Sequence, residues 1–156
     1  MSALTAEGRL KELGIELPQP PRPLGAYVEA VQTGNLLFLS GTLPVTGGKA
    51  EYMGRVGAEL TLEEGATATR LAAVNSLALA KAHLGSLDKV TRVVRLSVAI
   101  VATPDFQSHP KVADAASELL VSIFGREKIS TRAVLGVSSL PLGACVETEI
   151  VFEVEG

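Results

Sequence analysis

Between residues 3 and 13, Leu4, Leu10 and Leu13 stand among charged neighbours, the spacing of a short amphipathic helix that Gly14 would close. The stretch LPQPPRPLG that follows has no such period. Proline lacks an amide proton and keeps its neighbours out of the helical region, so this stretch predicts a stiff, extended spacer. From Ala26 the pattern AYVEAVQTGNLLFLSGTLP reads as two strands joined at Thr-Gly-Asn, the second ending at Ser40-Gly41. Gly47-Gly48 marks a further turn, and Tyr52 to Val56 is expected as a short edge strand. Thr61-Leu62-Glu63-Glu64 has the form of a capping box. The helix it opens is expected to run to about His83, with Ala66, Arg70, Ala73, Leu77 and Leu84 on its inward stripe and Gly85 as its stop.

Val90 to Val101 is β-branched on both parities, with Val90, Val94, Val98 and Ile100 on one face and Val93 and Val101 on the other, which predicts a strand covered on both faces. HPKVADAASELLVSIFG supplies a second long helix, with Val112, Ala116, Leu119, Leu120 and Ile123 inward and Gly125 at its end. The order ββ(β)αβαββ places the long helices in crossovers. The fold class is therefore α+β, one mixed sheet with two helices on one face. In the last strand Val146, Thr148, Ile150, Phe152 and Val154 should meet the helices. Cys145, Glu147, Glu149, Val151 and Glu153 should then point to the face that the helices leave open.

A chain of 156 residues suits one domain with a real core. Its 47% hydrophobic content, carried by Ala, Val and Leu, suggests surface hidden against further copies of itself. Fourteen basic against seventeen acidic residues, a net charge of -3, leave no basic face for nucleic acid. One cysteine, Cys145, and two histidines make neither an internal disulfide nor a familiar zinc site, which points to a reducing, cytoplasmic location. The N-terminal stretch is charged throughout and no apolar run has membrane-spanning length, so neither a signal peptide nor a membrane partner is expected.

The stretch RAVLGVSSLPLGACVETE, Arg132 to Glu149, carries the candidate chemistry. Arginine can grip a carboxylate through two parallel hydrogen bonds in one plane, and Glu147 in the following strand could orient or deprotonate a water. On the residues alone, solvated charges at strand ends are the commoner outcome.

The same stretch, read as R-x-x-x-G-V-x-x-L-P-x-G-A-x-V-E, stands with Tyr27 ahead of TGNLLFLSG, with SGTLP and with Asn75 in the first long helix. In these markers the chain resembles the RidA/YjgF family of reactive-intermediate deaminases, some of whose members are called L-PSP endoribonucleases or translation inhibitors, from about Leu24 to Val154. The resemblance implies residues 1–23 as a helix and Pro-rich leader ahead of a single chorismate-mutase-like domain at 24–156. It further implies a homotrimer whose sheets form a central barrel with clefts between subunits. Hydrolysis of enamine and imine intermediates such as 2-aminoacrylate to 2-keto acids and ammonia is implied, without cofactor or metal. On that pattern Arg132 grips the substrate carboxylate and Glu147 holds the water, while Tyr27, Ser40 and Gly41 line the cleft.

Three departures stand out: a longer leader, the loop GREKIST before Arg132, and Ala115 about where many members carry an Asn, so a polar contact is expected to be missing. Cys145, on the face of Glu147, reads as a small hydrophobe rather than a tuned thiol. His83 and His109 read as helix-terminus residues. Ser40 has no base beside it in sequence, and Tyr27 is equally suited to a core. Two other functions fit the same chain: a non-catalytic trimeric binder of small carboxylate metabolites, and an endoribonuclease, against which the acidic balance and the absence of Trp for base stacking count.

Overall fold

Thr61 accepts a hydrogen bond from the Glu64 amide and the Glu64 carboxylate accepts one from the Thr61 amide, both at 3.1 Å, so the capping box is closed on both sides. Such a cap contributes about 1 kcal/mol. It starts the longest element of the computed structural model, which describes residues 4–156. In chain order the elements are α1 (Ala6–Glu12), β1 (Ala30–Thr33), β2 (Leu36–Leu39), β3 (Val45–Thr46), β4 (Lys49–Ala50), α2 (Leu62–Leu84), β5 (Val90–Val101), α3 (His109–Phe124), β6 (Thr131–Val137) and β7 (Val146–Val154). Ala3, expected at the head of the first helix, lies outside the described residues. Gly85 ends α2 in the left-handed conformation, with φ 84. Among the described residues no helix is long and apolar enough to cross a membrane.

Five strands form one sheet in the order β1-β2-β7-β5-β6, antiparallel except for β5 with β6. The parallel pair is the one joined by α3, as a helical crossover requires. The mixed α+β expectation stands, and α1 adds a third, short helix whose Leu10 reaches the core. Val146, Thr148, Ile150, Phe152 and Val154 are all buried, while Glu147 and Glu149 are not, so the parity read for the last strand holds for these residues, although Val151, expected on the open face, is also buried.

Four local expectations are corrected. Residues 52–56 form no strand: Met53 and Val56 make only isolated bridges, and the edge hairpin is instead β3–β4 around Gly47 and Gly48, whose φ of 58 and 81 suit a tight two-residue turn. The first strand begins at Ala30 rather than Ala26. In α2 Arg70 is exposed and Ala66 only half-buried, because residues 72–80 are buried on every side, so no single stripe exists there. In β5 the pairing shifts between Val90 and Arg92 and again between Val93 and Arg95. These bulges bring Val90, Val93 and Leu96 to the helices together and leave Val94 half-exposed, against a simple parity count. The helices therefore cover one face of the sheet only.

A further irregularity sets up the site. Phe38 pairs with Val151 and Thr42 with Thr148, an advance of four residues on one strand against three on the other. The extra residue is a bulge at Ser40-Gly41, opposite the β7 segment that carries Glu147. Behind it the hydroxyls of Thr42, Ser76 and Thr148 meet at 2.6 to 3.3 Å, and Thr42 also donates to the Ala72 carbonyl. These residues are at most 2% exposed, so a satisfied polar knot ties β7 to α2 behind the bulge.

Candidate functional site

Glu147 leaves β7 on the open face of the sheet and lies against Gly41. A Cβ on Gly41 would overlap the carboxylate and come within 2.9 Å of its Cδ. Gly41 is not at positive φ, so it is smallness rather than backbone freedom that this position uses. The carboxylate makes no hydrogen bond or ion pair with another described residue. Burial first, and repulsion from Glu149 second, push its pKa up from the ordinary carboxylate value. A half-buried, unpaired carboxylate of raised basicity is suited to take a proton from water. Gly41→Ala should displace the Glu147 carboxylate, as a crystal structure of the variant would show, while the melting temperature stays close to wild type, because the crowded atoms belong to a side-chain end.

Ser40 and Tyr27 join the same neighbourhood. Ser40 Oγ donates to the Val28 carbonyl at 2.6 Å, which pins the bulge to the residues before β1 and leaves Ser40 only lone pairs to offer. The Tyr27 hydroxyl accepts from the Leu24 amide at 2.9 Å and keeps its own proton to donate. With Glu147, Gly41 and the Pro-rich leader they line one cavity of about 1090 Å³. Asn75, 2% exposed, is at its wall and donates both amide hydrogens, to the carbonyls of Leu43 (2.9 Å) and Val45 (3.0 Å). Its carbonyl oxygen accepts from no described residue.

Arg132 is not in that cavity. Its register partner on β5 is the buried Leu96, so it points to the helix side of the sheet, where its Nη1 donates to Asp114 Oδ1 (2.7 Å) and Ser117 Oγ (3.1 Å) of α3. Nε and Nη2 make no hydrogen bond to a described residue, which leaves one edge of the fork free for a carboxylate. Glu147 is opposite Ala99 on the other side of β5. Three residues along the strands and two strands across place the two backbones roughly 14 Å apart, with the side chains on opposite faces. One subunit cannot present both groups to one small molecule.

Ala115 itself offers no polar contact, while Asp114, one place earlier, supplies one to Arg132, and Ser117 adds a second. A polar pair at i and i+3 beside the buried stripe was the available signal, but only the register of β6 against α3 gives it a partner. Cys145 does not share the face of Glu147. It precedes β7 and is fully buried in the core with Val146, the alternation beginning only after it, and burial raises its thiol to about 11. It is inert. His83 contacts Gln32 at 3.1 Å, and His109 opens α3 in edge contact with Phe106 while covering Gly136.

Residues 7–153 match the sequence model of the family described as "YjgF/chorismate mutase-like, putative endoribonuclease". Protein TCP17 of Trypanosoma cruzi is 39% identical, with 97% of this chain and 98% of that protein covered. A 2-iminobutanoate/2-iminopropanoate deaminase of Dermatophagoides farinae is 29% identical over 90% of this chain and 95% of its own length. A crystal structure from Shewanella oneidensis MR-1, whose protein carries the same endoribonuclease description, is 34% identical over 96% of this chain and 99% of that one, with a TM-score of 0.92. With the markers from Tyr27 to Glu147 set on this sheet and this bulge, the chain belongs to the RidA/YjgF family.

Proposed function

We propose that the protein hydrolyses reactive 2-imino acids and their enamine tautomers to 2-keto acids and ammonia, in clefts between subunits. Arg132 of one subunit grips the substrate carboxylate and Glu147 of its neighbour holds the attacking water. The observation that carries this reading is that, among the described residues, both groups are left chemically available: a guanidinium held through Nη1, and a carboxylate of raised basicity with no partner. Water oxygen adds to the imine carbon as Glu147 takes its proton, and Glu147 passes that proton to the imine nitrogen, which becomes an amine as the carboxylate is restored. The resulting carbinolamine loses ammonia as its hydroxyl oxygen becomes the keto oxygen. Such imines already react with water, so positioning the acid and the water suffices, with neither metal nor cofactor. The kinship with a named imine deaminase supports the reaction class.

The assembly proposed is a homotrimer whose sheets close a central barrel. Its support is the uncovered face of the sheet, where Val31, Phe38 and Leu135 are 52%, 43% and 64% exposed. The single buried cysteine suits a reducing cytoplasm.

The test is imine hydrolysis. An amino-acid oxidase generates 2-iminopropionate in place, semicarbazide traps what remains, and wild-type protein should lower the trapped fraction in proportion to its concentration. Unchanged trapping together with tight binding of the keto acid would replace this reading with that of a carboxylate binder. RNA cleavage that persists in Arg132→Ala would place any nuclease activity outside this cleft.

A further inference from the structure

On one subunit the cavity over Glu147 is larger and more apolar than a three-carbon acid alone would need, and the leader is part of its lining. Pro18, Pro20, Pro21, Pro23 and Leu24 of the leader line it together with Leu71, Val74 and Leu79 of α2. On one subunit its volume is about 1090 Å³, just above the range of drug-sized ligand pockets, and its open side is left for the neighbour that brings Arg132. The leader is fixed at both ends: Ile15 and Leu17 pack on the core, and the Leu24 amide is bonded to the Tyr27 hydroxyl at 2.9 Å. Proline-rich backbone between those anchors has little freedom to lose when a ligand arrives. The charged groups on the lining are Glu16, Glu29 and Glu147 against Arg22 alone. A second carboxylate on the ligand would meet net negative charge, whereas an uncharged hydrocarbon would meet proline and leucine.

We infer that this cavity is a side-chain subsite, and that the preferred substrates are monocarboxylic 2-imino acids with a large, uncharged apolar side chain, branched or aromatic, held against the Pro-rich leader. The inference rests on the imine-hydrolase reading for the chemistry but makes its own claim about size. The buried Asn75 is the polar landmark of the subsite, with its amide hydrogens committed and its oxygen without a partner among the described residues. A small imine would leave most of the space to water.

Binding separates the two claims, because keto acids report on the subsite without turnover. Calorimetry on the full chain should give phenylpyruvate a Kd at least tenfold below that of pyruvate. Leu71→Trp, which fills the subsite from a half-exposed helix position, should weaken phenylpyruvate at least tenfold and leave pyruvate within twofold. The double variant Pro20→Gly, Pro21→Gly loosens the leader and should narrow the preference without a change in fold. Equal affinity for the two acids in wild type, no binding of either, or an equal loss of both in Leu71→Trp overturns the subsite. Preference for phenylpyruvate without hydrolysis of any imine leaves the subsite standing and removes the hydrolase reading alone.

Discussion

Arg132→Ala should abolish imine hydrolysis while leaving the fold intact. Removing one partner of a desolvated, charge-assisted pair costs about 3 kcal/mol or more, a loss of some hundredfold in kcat/KM. The structural cost is small by comparison. Arg132 is exposed and its Asp114 partner only half-buried, so losing that pair should change stability by no more than about 1 kcal/mol. Arg132→Lys should fail almost as badly. An ammonium can meet Asp114 or the substrate, but it lacks a second edge with which to hold one while gripping the other. Steady-state kinetics with thermal melts on the three proteins measure this. Hydrolysis retained in Arg132→Ala would remove Arg132 from the mechanism.

Glu147→Gln should lose activity by about two to four orders of magnitude, the range set by loss of a positioned base, and at neutral pH it should be as stable as wild type or more so. The sign follows from the raised pKa. The folded state keeps the proton at a pH where the unfolded state has released it, so protonation favours folding. The contribution from this group is fully present below the ordinary value of 4.5 and is lost as pH rises through the higher folded value. Glutamine removes that loss. Melting temperatures of the two proteins should therefore converge in acid and separate, in favour of Glu147→Gln, toward neutrality. The acid limb of the wild-type rate profile should lie above the ordinary carboxylate range. A Glu147→Gln protein that is active, or less stable only at neutral pH, would contradict the assignment.

The sequence shows this architecture best where a signal is local. The Thr61 capping box, the Gly85 stop, both ends of β5 and the alternation from Val146 to Val154 depend on neighbours in the chain and agree with the structure. Face assignments failed where pairing overrides local period. The bulges in β5 reverse the parity of Val93 against Val94, and the crowding of α2 erases its stripe. The candidate site was legible in part. Tyr27, Ser40, Gly41 and Glu147 meet because one bulge and one turn bring them together, whereas the partnership of Arg132 with Asp114 depends on how α3 crosses β6. The leader read as a spacer because nothing in LPQPPRPLG says which surface it spans. Only the folded chain shows it as a wall.

The measurement that tests the account most directly is subunit complementation. Arg132→Ala and Glu147→Gln proteins, each inactive alone, are refolded together so that subunits mix. If every cleft takes Arg132 from one subunit and Glu147 from its neighbour, random mixing in equal amounts restores about one quarter of wild-type activity, since one cleft in four then receives both intact groups. Mixed oligomers confirmed by mass but showing no recovered activity would contradict the shared cleft, and with it the assignment of Arg132 and Glu147 to a single reaction.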